Sequence, residues 1–177
     1  IRGRQGGRES MGEAVSMAQH MEQTAACAVA DGAADELVIA ALLHDLGHFI
    51  CDHPIEALEQ GRDNYHEVAG ATFLARNFPS TVSEPIRLHV AAKRYLCTTD
   101  PAYLKQLSDA SIGSLRVQGG PMDIDEIAQF EARPYYREAV KLRLYDDDGK
   151  VAGLTIKPVT EYRDTMSTLL TQAQRDS

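Results

Sequence analysis

The apolar and polar positions follow a helical pattern almost throughout the chain, and one short segment looks like strand. Met11 to Ala30 is rich in Ala, Met, Glu and Gln and predicts a first helix, closed by Asp31-Gly32. Asp35 is placed to cap a second helix through Leu37–Phe49. Residues 50–65, with Pro54, Gly61 and Asn64, read as an irregular connection. A third helix is expected over His66–Asn77, stopped before Pro79, and a fourth over Ser83–Leu96 with Pro85 in its first turn. Asp100 followed by Pro101 opens Ala102–Ala110. Gly119-Gly120-Pro121 breaks the chain, Asp123 caps Ile124–Ala132, and Pro134 starts a helix to Tyr145. Asp146–Gly149 reads as a turn and Val151–Pro158 as extended, and Thr160 caps a last helix. The expected fold class is all-α.

The 177 residues fit a single domain over 1–177, and 44% apolar with 25% charged residues is an ordinary globular composition. The chain opens at Ile1 without a methionine, with Gly3, Gly6 and Gly7 among arginines. Residues 1–10 are therefore expected to be a flexible loop of an incomplete N-terminus. A net charge of −8 lacks the basic footprint of a nucleic-acid binder and suits an anionic membrane poorly. The aliphatic run Leu37–Leu43 is too short to span a bilayer. Cys27, Cys51 and Cys97 are odd in number and widely spaced, which fits a reducing cytoplasm and argues against a thiolate zinc site.

Chemistry concentrates on the six histidines, His20, His44, His48, His53, His66 and His89. The sharpest local feature is Ala40-Ala41-Leu42-Leu43-His44-Asp45-Leu46-Gly47-His48. An adjacent imidazole and carboxylate can bind one divalent metal together, or the Asp can bridge two. The plain alternative is a helix C-terminus, where His favours the dipole and Asp45 is solvated. His44 and His48 share a face if the helix continues.

The surroundings of that doublet resemble the HD superfamily of helical, metal-dependent proteins: a His on one helix, a His-Asp doublet on the next, and a distal Asp. These correspond to His20, His44, Asp45 and Asp146, and His66 and His89 between them resemble the dinuclear branch. Two six-coordinate ions need about ten to twelve donors, and four imidazoles plus two carboxylates supply roughly seven or eight, leaving positions open. A set without cysteine favours iron or manganese over closed structural zinc. The likeness continues through His89-Val90-Ala91-Ala92-Lys93-Arg94-Tyr95-Leu96, Leu107-Ser108-Asp109-Ala110-Ser111, Gln118-Gly119-Gly120-Pro121-Met122 and Lys141-Leu142-Arg143-Leu144-Tyr145-Asp146. From Gly12 to Tyr162 the chain resembles the HD-domain mixed-valent di-iron oxygenases that break the carbon–phosphorus bond of 1-hydroxy-2-aminoethylphosphonates. The resemblance implies an HD-domain helical bundle with two irons, Fe(II) and Fe(III), in its core. It also implies dioxygen as co-substrate, a small organophosphonate as substrate, and phosphate with a carboxylate as products.

Lys93 lies one turn after His89 and Arg143 three residues before Asp146, so a ligand and a cation share a face in each case, which suits a phosphonate dianion. The resemblance assigns His48, Lys93, Ser111 and Arg143 to phosphonate binding. Glu13, seven residues before His20, matches a family Glu that contacts the substrate's amino end. Ser10 departs from the family, which carries Tyr there for the primary amine. The lost bulk favours an N-trimethylated cation and glycine betaine over glycine. Two rivals use the same residues: a dinuclear HD phosphohydrolase with a metal-bound hydroxide, and a regulatory metal-stabilised module without turnover.

Overall fold

The structure, a computed structural model, describes residues 15–51, 63 and 65–175, with side chains through residue 170. Its helices are α1 (Met17–Ala30), α2 (Asp35–Leu43), α3 (Gly47–Ile50), α4 (His66–Leu74), α5 (Ser80–Thr99), α6 (Pro101–Gln106), α7 (Asp109–Val117), α8 (Ile124–Glu131) and α9 (Tyr136–Asp148). A 3-10 turn over Val159–Tyr162 leads into α10 (Arg163–Arg175). No β-strand occurs among the described residues, so the all-α expectation holds. No helix among them is long and apolar enough to cross a membrane.

α2 is apolar all round and accordingly central: Leu37 through Leu42 are all buried, Ile39, Ala40 and Ala41 completely. α1, α5 and α9 pack around it, and α4 lies along α5. The main core joins Ala25 and Ala28 of α1, the α2 run, Ala71 and Leu74 of α4, Val82 and Ile86 of α5, and Leu142 and Tyr145 of α9. Each fully buried Leu or Ile contributes about 1.5–3 kcal/mol. Farther along α5, Leu88 and Ala92 meet Phe130 and Ala139, and Leu96 and Cys97 meet Tyr103 and Leu115. α5 thus runs the length of the bundle and carries His89 and Lys93 in its buried middle.

Several boundaries differ from expectation, each for a local reason. α1 starts at Met17, because Ser16 and Gln19 close a capping box: the Ser16 side chain accepts from Gln19 N at 3.3 Å and Gln19 Oε1 accepts from Ser16 N at 3.1 Å. Glu13, Ser10 and His53 lie outside the described residues. Ala34, not Asp35, is the N-cap of α2, and Asp35 adds its charge to the first turn.

The helix expected over Leu37–Phe49 breaks after Leu43. Leu46 N bonds to Leu43 O, His48 N to Asp45 O and Phe49 N to Leu46 O, a three-residue spacing. In that tighter winding residues i and i+3 eclipse, and His48 Nε2 comes within 3.8 Å of Asp45 Oδ1. Close packing accompanies the break: a Cβ on Gly47 would lie 1.8 Å from His66 O, and one on Gly70 would lie 3.1 Å from Gly47 N. The α3 and α4 backbones touch where any side chain would part them.

Farther on, α5 starts at Ser80 after Pro79, so Pro85 lies inside the helix and not in its first turn. The helix expected over Ala102–Ala110 is two, because Leu107 is extended and Ser108 caps α7 by accepting from Ser111 N at 3.2 Å. Asp100 and Asp123 cap as expected. α9 runs to Asp148, so Asp146 sits in its last turn and not in a loop. Val151–Pro158 forms no strand: Gln23 takes up Val151 N, Val151 O and Leu154 O at 2.8–3.1 Å. Pro158, not Thr160, precedes the 3-10 turn before α10.

Candidate metal centre

Six side chains from five places in the sequence meet in the bundle core. α1 supplies His20, the turn after α2 supplies His44 and Asp45, α4 opens with His66, and α5 and α9 supply His89 and Asp146. All six are buried. They fall into two groups able to hold an ion: His20, His44 and Asp146, and Asp45, His66 and His89.

Asp45 joins the groups. Its Oδ2 is 3.4 Å from both His20 Nε2 and His44 Nε2, and its Oδ1 is 3.5 Å from His66 Nε2 and 3.9 Å from His89 Nε2. Within the groups, His20 Nε2 lies 3.2 Å from His44 Nε2 and from Asp146 Oδ1, and His66 Nε2 lies 3.2 Å from His89 Nε2. Neighbouring donors about 2.1 Å from one ion stand roughly 3 Å apart, so this spacing fits cation binding.

The ring hydrogens supply the stronger test. A carbonyl oxygen only accepts, so His20 Nδ1 donates to Gly149 O (2.9 Å), His44 Nδ1 to Ala41 O (2.9 Å) and His89 Nδ1 to Ile86 O (2.7 Å). In neutral rings this turns the Nε2 lone pair of each toward the centre. Lone pairs meeting at 3.2 Å in a dry interior repel unless a cation or a proton stands between them. Locking Nδ1 to a carbonyl is also how metal-ligating imidazoles are oriented. The donor set therefore fits two metal ions.

The two groups differ in charge. Burial pulls His20 down, but the Asp146 and Asp45 carboxylates overcome it and push the imidazole up to about 10. Burial and the neighbouring His44 lower His89 to about 4, and burial with His48 holds His66 well below the usual range. Asp146 stays well below the carboxylate range because Arg143 and Lys150 outweigh its burial. His44 and His20 do the same for Asp45.

The expected anion-binding residues are buried here, not solvated surface charges. Lys93 is 2% exposed and Arg143 5% exposed, and Ser111 is equally covered. Lys93 Nζ donates to Ser114 Oγ at 2.7 Å, and burial followed by the Arg143 charge lowers it to about 7. Arg143 reaches Asp146 Oδ2 at 2.6 Å and Ser111 Oγ at 3.4 Å. The His48 ring stacks on His66 with centroids 3.9 Å apart, and its Nε2 lies 3.8 Å from Asp45 Oδ1.

Four neighbours escaped the sequence reading. Ser114 is one turn past Ser111, a spacing that could have exposed it. Asp147 follows a ligand-type Asp in an acidic run, and nothing local marks Tyr103. Glu67 is buried beside His66, its Oε2 3.6 Å from His66 Nδ1 and without a hydrogen-bond partner among the described residues. Burial pushes it up to about 7.

A helical bundle with a His-Asp doublet spanning two histidine groups defines an HD-type metal protein, and the HD domain family model matches residues 13–130. The chain belongs to the HD-domain family. It is 46% identical over 151 residues to a [1-hydroxy-2-(trimethylamino)ethyl]phosphonate dioxygenase (glycine-betaine-forming) of Leisingera caerulea, covering 85% of this chain and 77% of the relative. It is 43% identical over 159 residues to a hydroxymethylphosphonate dioxygenase of Gimesia maris, covering 89% and 79%.

Proposed function

We propose that this chain is a metal-dependent oxygenase that uses dioxygen to cleave the carbon–phosphorus bond of a 1-hydroxyalkylphosphonate, releasing phosphate and a carboxylate. The observation that carries the reading is the Asp45 carboxylate lying between two histidine groups, with Lys93 and Arg143 buried nearby. The two relatives are phosphonate dioxygenases, which favours an oxygenase over an HD phosphohydrolase.

His20, His44 and Asp146 would hold one metal and His66 and His89 the other, with Asp45 bridging. Two irons held there would supply the activation of dioxygen. The chain's own residues do the rest. Arg143 and Lys93 neutralise the phosphonate oxygens, each through a charge-assisted hydrogen bond. Ser111 and His48 add neutral donors that fix the phosphonate's rotation. With the phosphonate anchored, carbon 1 and its hydroxyl are held toward the ligand cluster. The buried surround excludes bulk water, so an anion placed there feels both cations at low screening. Glu13 would pair with the substrate cation, and serine at position 10, in place of the family's tyrosine, would favour a trimethylammonium group. The substrate is [1-hydroxy-2-(trimethylammonio)ethyl]phosphonate, and glycine betaine is the organic product.

Phosphate release from 1-hydroxyphosphonates with and without dioxygen tests the reaction class. Phosphate should appear only aerobically, with one oxygen atom of the organic product drawn from dioxygen. Equal rates under argon would make the protein a hydrolase.

A further inference from the structure

The Arg143 guanidinium has five N–H donors, and most are committed inside the protein. Nε and one terminal nitrogen form a fork on Asp147: Nε lies 3.0 Å from Oδ2, and NH2 donates to Oδ1. NH1 donates to Asp146 Oδ2 at 2.6 Å. Tyr103 OH accepts from the same Nε at 2.9 Å and donates to Asp147 Oδ2 at 2.5 Å. Tyr103 is itself buried, its ring packed with Leu96, Cys97 and Leu115. Asp147 lies one turn past Arg143 on α9, and Tyr103 comes from α6.

From this network we propose that Asp147 and Tyr103 are positioning residues for substrate recognition. They clamp one edge of the Arg143 guanidinium so that its remaining terminal hydrogens face the phosphonate. The inference rests on the proposed role of Arg143. The donor count supports it: the fork on Asp147 and the single contact to Asp146 leave one hydrogen on each terminal nitrogen. One of these points to Ser111 Oγ at 3.4 Å, another residue expected on the anion. A planar guanidinium held at one edge suits the oxygens of a phosphonate. Asp147 also keeps Arg143 from turning its whole fork onto Asp146. Asp146 can then divide its oxygens, Oδ2 to Arg143 and Oδ1 toward His20, His44 and the Lys150 ammonium.

The test uses the iron-loaded full chain with inorganic phosphate as the binding probe, beside steady-state kinetics on a 1-hydroxyphosphonate, iron content and thermal melting. Asp147→Asn keeps the shape but loses the charged fork. It should raise both the phosphate Kd and KM about tenfold, equivalent to about 1.4 kcal/mol, with kcat within about twofold and iron content unchanged. Tyr103→Phe should shift both constants the same way by about threefold. Arg143→Ala is the reference. If it raises Kd and KM while Asp147→Asn and Tyr103→Phe leave them at wild-type values, the positioning role is overturned and the reading of Arg143 stands. If Arg143→Ala itself changes neither constant, the reading of Arg143 fails, and the inference built on it falls too. A lower kcat and iron content with unchanged phosphate Kd in Asp147→Asn would place Asp147 with the metal ligands and overturn the proposal. Should Asp147→Asn melt too low to study, an unchanged phosphate Kd in Tyr103→Phe overturns it.

Discussion

The two halves of the ligand cluster are built from the same imidazoles but carry opposite electrostatics. In the half made by His20, His44 and Asp146, Asp146 and the shared Asp45 hold His20 protonated to about pH 10 in the metal-free chain. In the half made by His66 and His89, burial dominates and keeps both rings neutral, His89 down to about 4. The first half attracts a cation by charge, and the second offers lone pairs with a share of Asp45. A metal entering the first half must displace the His20 proton, while the second, with fewer protein donors, leaves more positions for substrate. Each half also has its own cation. Arg143 is tied to Asp146, and Lys93 lies one turn from His89.

The largest expected effect comes from removing what the halves share. Asp45→Ala should strip both metals and abolish turnover, read by iron analysis and phosphate release. Retention of about two irons per chain would show that Asp45 does not bridge, and the two-half description would collapse. Next come the single-half variants. His66→Ala or His89→Ala should lose one metal and activity while the other half keeps its ion. Loss of both metals would mean that the halves fill only together, and full activity would return the protein to a mononuclear site.

The cations come third. A charge-assisted contact to an anion is worth about 1.5–3 kcal/mol, so Lys93→Ala and Arg143→Ala should each lower kcat/KM roughly 10- to 150-fold with iron content near normal. Unchanged kinetics would make both residues structural.

The Lys93 reading also predicts a pH dependence. With Lys93 lowered to about 7, the free protein loses that charge above neutrality, so kcat/KM should fall as pH rises through about 7. Lys93→Met should remove that limb. The stability sign is opposite. Lys93 titrates at about 7 when folded and near 10.5 when unfolded, so between those values the unfolded chain binds more protons and raising pH stabilises the fold. The metal-free Lys93→Met protein should accordingly melt higher than wild type at neutral pH. A lower melting temperature would show that the buried ammonium is fully compensated.

Much of this cluster was legible because the residue types are rare on apolar helices and recur at spacings that only a bundle brings together. His44-Asp45 follows an aliphatic run, and His89 with Lys93 repeats one turn apart on a long helix. The helix breaks were less legible, because their causes are tertiary or a choice among similar caps. The tightened turn at His44–Leu46 is accompanied by the His66 backbone lying against Gly47, which no local pattern announces. Ser16, through a capping box with Gln19, and Ser108, through a bond from Ser111 N, win as caps over neighbouring polar residues. Motif residues also divide in role. Arg94, next to Lys93, turns away to hold the Gly119-Gly120 corner, with Nε on Gly120 O at 2.8 Å and NH2 on Glu126 at 2.6 Å. Both glycines have positive φ, +100° and +73°, so this part of the sequence pattern serves the backbone. Asp147 was missed because Asp146–Gly149 read as a turn, whereas the helix runs on to Asp148 and sets Asp147 one turn past Arg143; Tyr103 was missed because only the folded chain brings it there.

The smallest effect concerns the end of the substrate remote from both halves. The relatives' names share a hydroxymethylphosphonate unit and differ in what carbon 1 carries, so discrimination must come from groups beyond the metal and anion contacts. Glu13 and Ser10 are the proposed groups. A primary ammonium gains short hydrogen bonds to a carboxylate, whereas a trimethylammonium gains only diffuse attraction and needs volume. Serine in place of tyrosine supplies volume, so kcat/KM should favour the trimethylated substrate over the primary amine by about tenfold. A tenfold preference for the amine would reverse the substrate choice and leave the reaction class and both halves of the centre as described. Ser10→Tyr refines the result: it should penalise the bulky cation more than the small one. Equal losses on both would show that position 10 stands apart from the cation, leaving discrimination to Glu13 alone.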